Sequence, residues 1–153
     1  MKRDLTEALA IAQELLDITG ASLLSGNFTG FADCFSLPTI FDTYDGQVRL
    51  DTIDDLEARF RDVTAHYRSI GTTEMVRHIV AADWFDERTI HSTHESRILA
   101  GTTLMQVPFI VFSVLKNTGT RWQITFSQYA IPDSEQYNKA LIGANPIKGD
   151  TNV

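Results

Sequence analysis

The apolar positions of the first half of the chain follow a helical spacing. Over residues 5–24 they recur every three or four positions, which predicts a long amphipathic helix. The aromatic positions of residues 28–35 predict a second, short helix that Pro38 closes. Residues 52–67 repeat the helical pattern, with Thr52 as the predicted N-cap.

The second half of the chain alternates apolar and polar positions instead. Before this half, the dipeptide Asp45-Gly46 is a turn signal that lies between two short alternating runs, and this pattern predicts a β-hairpin. After Gly71 the period becomes two, and we expect an antiparallel meander because the connections are short. The four predicted strands are 73–85, 88–100, 104–117 and 120–131. Strands this long favour a strongly twisted, curved sheet.

Helices followed by a long meander indicate an α+β fold, in which a cone-shaped, curved antiparallel sheet wraps around the N-terminal helices. We expect one domain over residues 1–132 and a polar, frayed C-terminal tail over residues 133–153. Side chains need not fill the mouth of such a cone. A cavity there is therefore the expected small-molecule site.

The composition of the chain limits the classes of partner that it can bind. Thirteen Lys and Arg residues against 20 Asp and Glu residues give a net charge of −7, which argues against nucleic acid or an anionic membrane as the main partner. The longest apolar run, residues 108–115, is too short to span a membrane. Cys34 is the single cysteine, so it forms neither an internal disulfide nor a Cys-rich zinc site, and we expect it to be buried. A cytoplasmic location fits these features.

Three segments carry a family resemblance. SGNFTGFADCF (25–35), the hairpin IFDTYDG (40–46) and the pair of motifs in GTRWQI (119–124) resemble the nuclear transport factor 2-like superfamily, which includes SnoaL-like polyketide cyclases and steroid isomerases. The resemblance covers residues 5–131 and implies a cystatin-like architecture and a homodimer formed through the sheet face. The superfamily contains isomerases, dehydratases, hydrolases and non-enzymes, so the resemblance does not fix an activity.

The catalytic residues of the steroid isomerases do not match. The resemblance puts Thr19 where those enzymes have a tyrosine, Thr43 where they have a basic aspartate, and Phe112 where they have a second carboxyl group. A general base must lie within reach of the proton that it takes. We therefore do not expect steroid isomerisation by that mechanism.

Candidate site residues come from the alternation of strand faces. On the second long strand, His91, Glu95 and Arg97 share a face, and the superfamily pattern around Gly101 turns that face toward the cavity. With Tyr129 from the last strand they form the predicted catalytic set: His91 as general acid or base, Glu95 as its orienter, and Arg97 or Tyr129 as the electrophilic partner. The predicted ligand-pocket residues are Phe28, Phe31, Phe41, Thr43, Thr93, Phe112, Thr125 and Ser127.

Simpler interpretations fit the same residues. Alternating polar residues are also typical of a solvent-facing or dimer-facing surface, and the aromatic stripe is also typical of core packing. His91 and His94, three apart on a strand, point to opposite faces, so no metal site is predicted, and no cofactor is implied.

Three functions remain open. The first is a cofactor-independent isomerase, dehydratase, cyclase or hydrolase acting on a small apolar carbonyl compound. The second is a non-catalytic binder of a small apolar molecule. The third is a dimeric interaction module whose outer sheet face, expected to carry Trp122, Ile124 and Phe126, forms the contact.

Overall fold

The structure is a computed structural model that describes residues 4–144 and residue 146. It has the predicted α+β organisation. The helices are α1 (Leu5–Ser25), α2 (Phe28–Ala32), α3 (Ile53–Ser69) and α4 (Glu135–Ile142). The strands are β1 (Phe35–Thr43), β2 (Gly46–Leu50), β3 (Glu74–Asp86), β4 (Thr89–Ala100), β5 (Thr103–Leu104), β6 (Phe109–Asn117) and β7 (Trp122–Ala130).

One curved sheet holds all the strands in the order β2-β1-β7-β6-β4-β3, with β5 paired to β4. The predicted meander is confirmed, because β3, β4, β6 and β7 pair antiparallel in sequence order. The expected curved sheet is present, but it is mixed and not purely antiparallel, because β1 pairs with β7 in parallel. Strands separated by long connections can pair in either direction, whereas strands joined by tight turns pair antiparallel.

The helix ends follow local sequence signals. Asp4 caps α1 by accepting a hydrogen bond from the Thr6 amide, and Gly26 ends that helix with a left-handed φ of 79°. Thr52 caps α3 as predicted, and it forms a capping box with Asp55. These caps fix where α1 and α3 begin.

The C-terminal segment is not a simple tail. Residues 135–142 form α4, which packs on α3 and buries Tyr137, Ala140, Leu141 and Ile142. The expectation of a polar tail after residue 132 is therefore wrong for this helix, whose apolar residues cluster on one side. Residues 147–153, where fraying was expected, lie outside the described residues.

Bulges set which strand residues reach the core. The pairing of β7 with β6 shifts between Val114 and Leu115, which leaves Thr125 as the extra residue on β7. As a result Ile124, Ser127 and Tyr129 all face the helices. The prediction that Ile124 lies on the outer sheet face is wrong for this reason.

Trp122 also lies on the helix side. It packs edge-on against Trp84, and it lines a groove with Leu15 and Ile18 of α1. Among the three residues expected on the outer face, only Phe126 lies there, packed against Phe112.

By length and composition, α1 is apolar enough to cross a membrane. Core helices also pass this test, and α1 is partly buried in the folded chain. It packs along β3 and buries eight residues, among them Leu15, Leu16 and Leu23. A cytoplasmic location stays a prediction.

Candidate functional site

A cavity of about 50 Å³ lies between the four helices and the concave face of the sheet. Its helix side is aromatic, because Phe31, Phe35 and Phe60 pack ring against ring there. Its sheet side carries small side chains, Ser113 and Ser127, which are cross-strand neighbours. The cavity exists because serine side chains are too short to fill the space that larger side chains would occupy.

Two tyrosines bring hydroxyl groups to this cavity from different helices. Tyr67 of α3 and Tyr137 of α4 are both buried, and their hydroxyls share a hydrogen bond. Burial raises the pKa of both hydroxyls above the usual value, so both keep their protons at neutral pH. Two hydroxyls carry two protons and their mutual bond uses one. The second proton is free for an acceptor in the cavity.

His94 of β4 lies on the sheet side of the cavity and is 3% exposed. Its Nε2 atom is buried without a hydrogen-bond partner. Burial lowers the pKa of this imidazole to about 2, and Coulomb repulsion from Arg77 and His78 acts in the same direction. His94 is therefore neutral over the whole physiological range.

Two arginines also line the cavity. Arg59 of α3 is satisfied by Asp62, at 2.8 Å, and by the Ala140 carbonyl, at 2.7 Å. Arg77 of β3 donates from Nη1 to the Leu16 carbonyl oxygen and to the Thr19 hydroxyl. The cavity thus combines an apolar body with hydrogen-bond donors.

The predicted catalytic set is not assembled there. His91, Glu95 and Arg97 lie on the outer face of β4, where Arg97 pairs with Glu95 at 3.0 Å. His91 stacks on Phe85, with ring centroids 4.7 Å apart. The prediction of the face of β4 is wrong because its even-numbered residues are the buried ones.

Four of the predicted residues do line the cavity. They are Phe31, Phe41, Ser127 and Tyr129. Burial raises the pKa of Tyr129 to about 12, so its hydroxyl is a donor at neutral pH.

The other predicted pocket residues have different surroundings. Phe28 packs on Phe60 in the core, and the Thr43 hydroxyl bonds to the Gly46 carbonyl in the hairpin turn. Phe112 lies on the outer face with Thr93, its neighbour across β4 and β6. The Thr125 hydroxyl bonds back to the Val114 carbonyl at the bulge.

Sequence reasoning missed His94, Arg77, Tyr67 and Tyr137 as cavity residues. For His94 a signal was present: Ile90 and Ile98 share its strand parity, and both are fully buried. Two isoleucines on one face identify the core side of a strand better than the positions of its polar residues do. Tyr137 lies in a segment whose many polar residues predict a tail.

Cys34 is buried as expected, and burial raises the pKa of its thiol to about 11. In the range that the structure describes, no three His, Cys, Asp or Glu side chains come together as a metal site requires.

No protein-family model matches the chain, and no curated protein sequence does. Solved structures do match. A domain from Nostoc punctiforme with a cystatin-like fold superimposes with a TM-score of 0.66 at 14% identity, covering 87% of this chain and 82% of that one. An NTF2-like protein from Novosphingobium aromaticivorans, also with a cystatin-like fold, gives a TM-score of 0.64 at 14% identity, covering 92% of both chains.

The chain has the nuclear transport factor 2-like (NTF2-like) fold. The predicted superfamily resemblance and fold class are confirmed at the level of the fold. A proposed aromatic ring hydroxylase from N. aromaticivorans shares this NTF2-like arrangement, with a TM-score of 0.60 at 12% identity over 85% of this chain and 92% of that one. Identities this low describe the fold alone, and the SnoaL-like subgroup stays a prediction.

Proposed function

We propose that this protein binds a compact small molecule, with an apolar body and an acceptor oxygen, in the central cavity. The observation that carries the proposal is the unused hydroxyl proton of the Tyr67–Tyr137 pair, which lies in a cavity walled largely by aromatic and aliphatic side chains. A ligand carbonyl oxygen would accept that proton, and the phenyl rings would cover the ligand body.

The size of the cavity limits the ligand. A volume of about 50 Å³ holds roughly three or four water-sized groups, and a cavity of about 150 Å³ is known to hold benzene. The fit therefore favours a ligand of a few heavy atoms. A larger ligand would need Met75 to move, and its flexible thioether side chain is suited to such a change.

Binding is better supported than turnover. In the described part of the chain no carboxylate lines the cavity, so the base that a carbonyl isomerase or dehydratase needs is not supplied by Asp or Glu. His94 is the remaining candidate, and an imidazole with a pKa of about 2 is a weak base. We therefore favour the ligand-binding alternative over the enzymatic one.

The test is a thermal-unfolding series with acetone, 2-butanone and cyclopentanone. At ten times its Kd a ligand adds about 1.4 kcal/mol of stability, which is about 3–6 °C for a chain of this size. We expect the smaller ketones to stabilise the protein, and 2-butanone to do so more than 2-methyl-1-butene, which has the same shape without the oxygen.

The matched variant is Tyr67→Phe combined with Tyr137→Phe, which removes both hydroxyls and keeps both rings. It should bind the ketone and the alkene equally. A second variant, Ser113→Leu, fills the cavity and should abolish both effects, whereas Thr93→Leu on the outer face should not. Absence of stabilisation by every ketone, and by propionate, the carboxylate of the same shape as 2-butanone, would refute the proposal. Turnover of a ketone that His94→Gln abolishes would favour the enzyme instead.

A further inference from the structure

Arg77 places a partly buried positive charge at the sheet–helix interface. It lies on β3 opposite Ser96 of β4, and its guanidinium extends beneath α1. There Nη1 donates to the Leu16 carbonyl oxygen, at 3.1 Å, and to the Thr19 hydroxyl, at 2.9 Å. Gly20 of α1 lies beside the guanidinium, and a Cβ atom at that position would lie 3.4 Å from Nη1.

No anion accompanies this charge in the described part of the chain. The ion pairs found there all belong to other arginines, and Arg77 has no carboxylate within 4 Å. Its Nε atom is buried and has no hydrogen-bond partner. The two oxygens that Arg77 contacts are neutral, so they do not compensate its charge. Buried charges in proteins are normally paired or bound to a ligand, because an unpaired one is costly.

The groups that share the cavity with Arg77 are neutral or already paired. Tyr67, Tyr129 and Tyr137 keep their protons because burial raises the pKa of each hydroxyl. His94 stays neutral because burial lowers its pKa. The charge of Arg59 is compensated by Asp62. The cavity therefore holds one uncompensated positive charge, together with several hydroxyl donors.

We infer that the preferred ligand is a compact monocarboxylate, with Arg77 as its charge partner. This inference rests on the proposed function, because it assigns the ligand class of the same cavity. A carboxylate offers four lone-pair positions, enough for the guanidinium and a tyrosine hydroxyl together, and charge-assisted hydrogen bonds to Arg are about twice as strong as neutral ones. The volume of about 50 Å³ favours a short alkyl chain behind the carboxylate.

The experiment compares propionate with 2-butanone, which has the same shape and no charge. Both are titrated at pH 7 and at matched ionic strength, with binding measured by ligand-observed NMR and by thermal unfolding. We expect the Kd of propionate to be lower than that of 2-butanone by about tenfold or more, because a charge-assisted hydrogen bond contributes more binding free energy than a neutral one. The Arg77→Met variant should lose that preference, because its affinity for propionate should fall by about tenfold or more while its affinity for 2-butanone falls less.

Two further variants guard against a folding artefact. Arg77→Lys keeps the charge and should retain part of the preference. Arg97→Met removes an exposed arginine on the outer face and should leave both affinities unchanged.

The outcomes separate the two proposals. Binding of 2-butanone with no preference for propionate would overturn the inference and leave the proposed function standing. Binding of neither probe would overturn both. An undiminished preference in Arg77→Met would show that another group receives the carboxylate, and equal stabilisation by propionate and by chloride would show that any small anion fits. Either result would overturn the inference.

Discussion

At the scale of single residues, the unusual group is His94, an imidazole buried on the inner face of β4 near Arg77. Its neighbours across the sheet are Ile79 on β3 and Val111 on β6, so neither flanking strand offers it a charge partner. Desolvation is the largest cause of its lowered pKa, ahead of the repulsion from Arg77 and His78. A group held neutral in this way makes folding depend on pH.

The stability of the native protein should fall as the pH drops below about 6.5. In the unfolded chain His94 takes up a proton near pH 6.5, but in the folded chain it does so only near pH 2, so lowering the pH favours the unfolded state. The contribution is about 1.4 kcal/mol per pH unit, or about 2 kcal/mol between pH 6.5 and pH 5. Urea denaturation at pH 7, 6 and 5 measures it.

The matched pair of variants lies on one strand. His94→Gln should reduce the pH dependence by that amount, whereas His91→Gln on the outer face should keep it. His66, whose pKa burial also lowers, contributes a smaller slope that both variants retain. Equal slopes in His94→Gln and in the native protein would contradict this account.

At the scale of elements, α4 completes the cavity. It contributes Tyr137 to the hydroxyl pair and Leu141 to the apolar wall, and it packs against α3. His66 of α3 stacks on the Tyr137 ring, with centroids 4.8 Å apart. The helix therefore belongs to the domain by its packing, and it supplies part of the proposed binding site.

Truncating Leu141, one of the buried side chains of α4, should destabilise the whole protein. We expect Leu141→Ala to lower the free energy of unfolding by about 2–4 kcal/mol, because it deletes methyl groups from a packed site. Lys139→Ala, an exposed change on the same helix, should alter it by less than about 0.5 kcal/mol. Urea denaturation checks both. Similar small effects from the two variants would mean that α4 is not part of the folded core.

At the scale of the whole molecule, the outer face of the sheet and its ends expose large apolar side chains. Phe85 is 67% exposed, Val80 is 52% exposed and Ile110 is 41% exposed. Together with Phe112 they form an apolar surface that water disfavours. We propose that a second copy of the chain covers it, as the family resemblance implies.

The dimer is tested by analytical ultracentrifugation over a range of concentrations. Phe85→Ser combined with Val80→Ser should weaken self-association by about tenfold or more, since each change removes apolar area from the contact. Leu24→Ser, which alters an apolar residue of α1 that is 43% exposed, should leave it unchanged. A monomer at every concentration of the native protein would rule the dimer out.

Most elements of this fold follow from local signals in the sequence. Helical spacing predicted α1 and α3, the cap at Thr52 fixed one helix start, and Asp45-Gly46 predicted the hairpin. Period-two alternation predicted the four long strands, because alternation is a property of each strand by itself. The sequence pattern did not predict α4, because eight residues are too few to distinguish a helical spacing from a polar tail.

The site depended on tertiary structure. Alternation states which residues of β4 share a face, but the packing of α1 and α3 decides which face is inside, and that choice separates His94 from His91. The bulge at Thr125 changes the face of half a strand, which the sequence of β7 alone does not specify. Tyr67 and Tyr137 are 70 residues apart and meet only after folding. Local sequence determines elements, whereas a cavity is a relation between distant ones, so only the packed chain defines it.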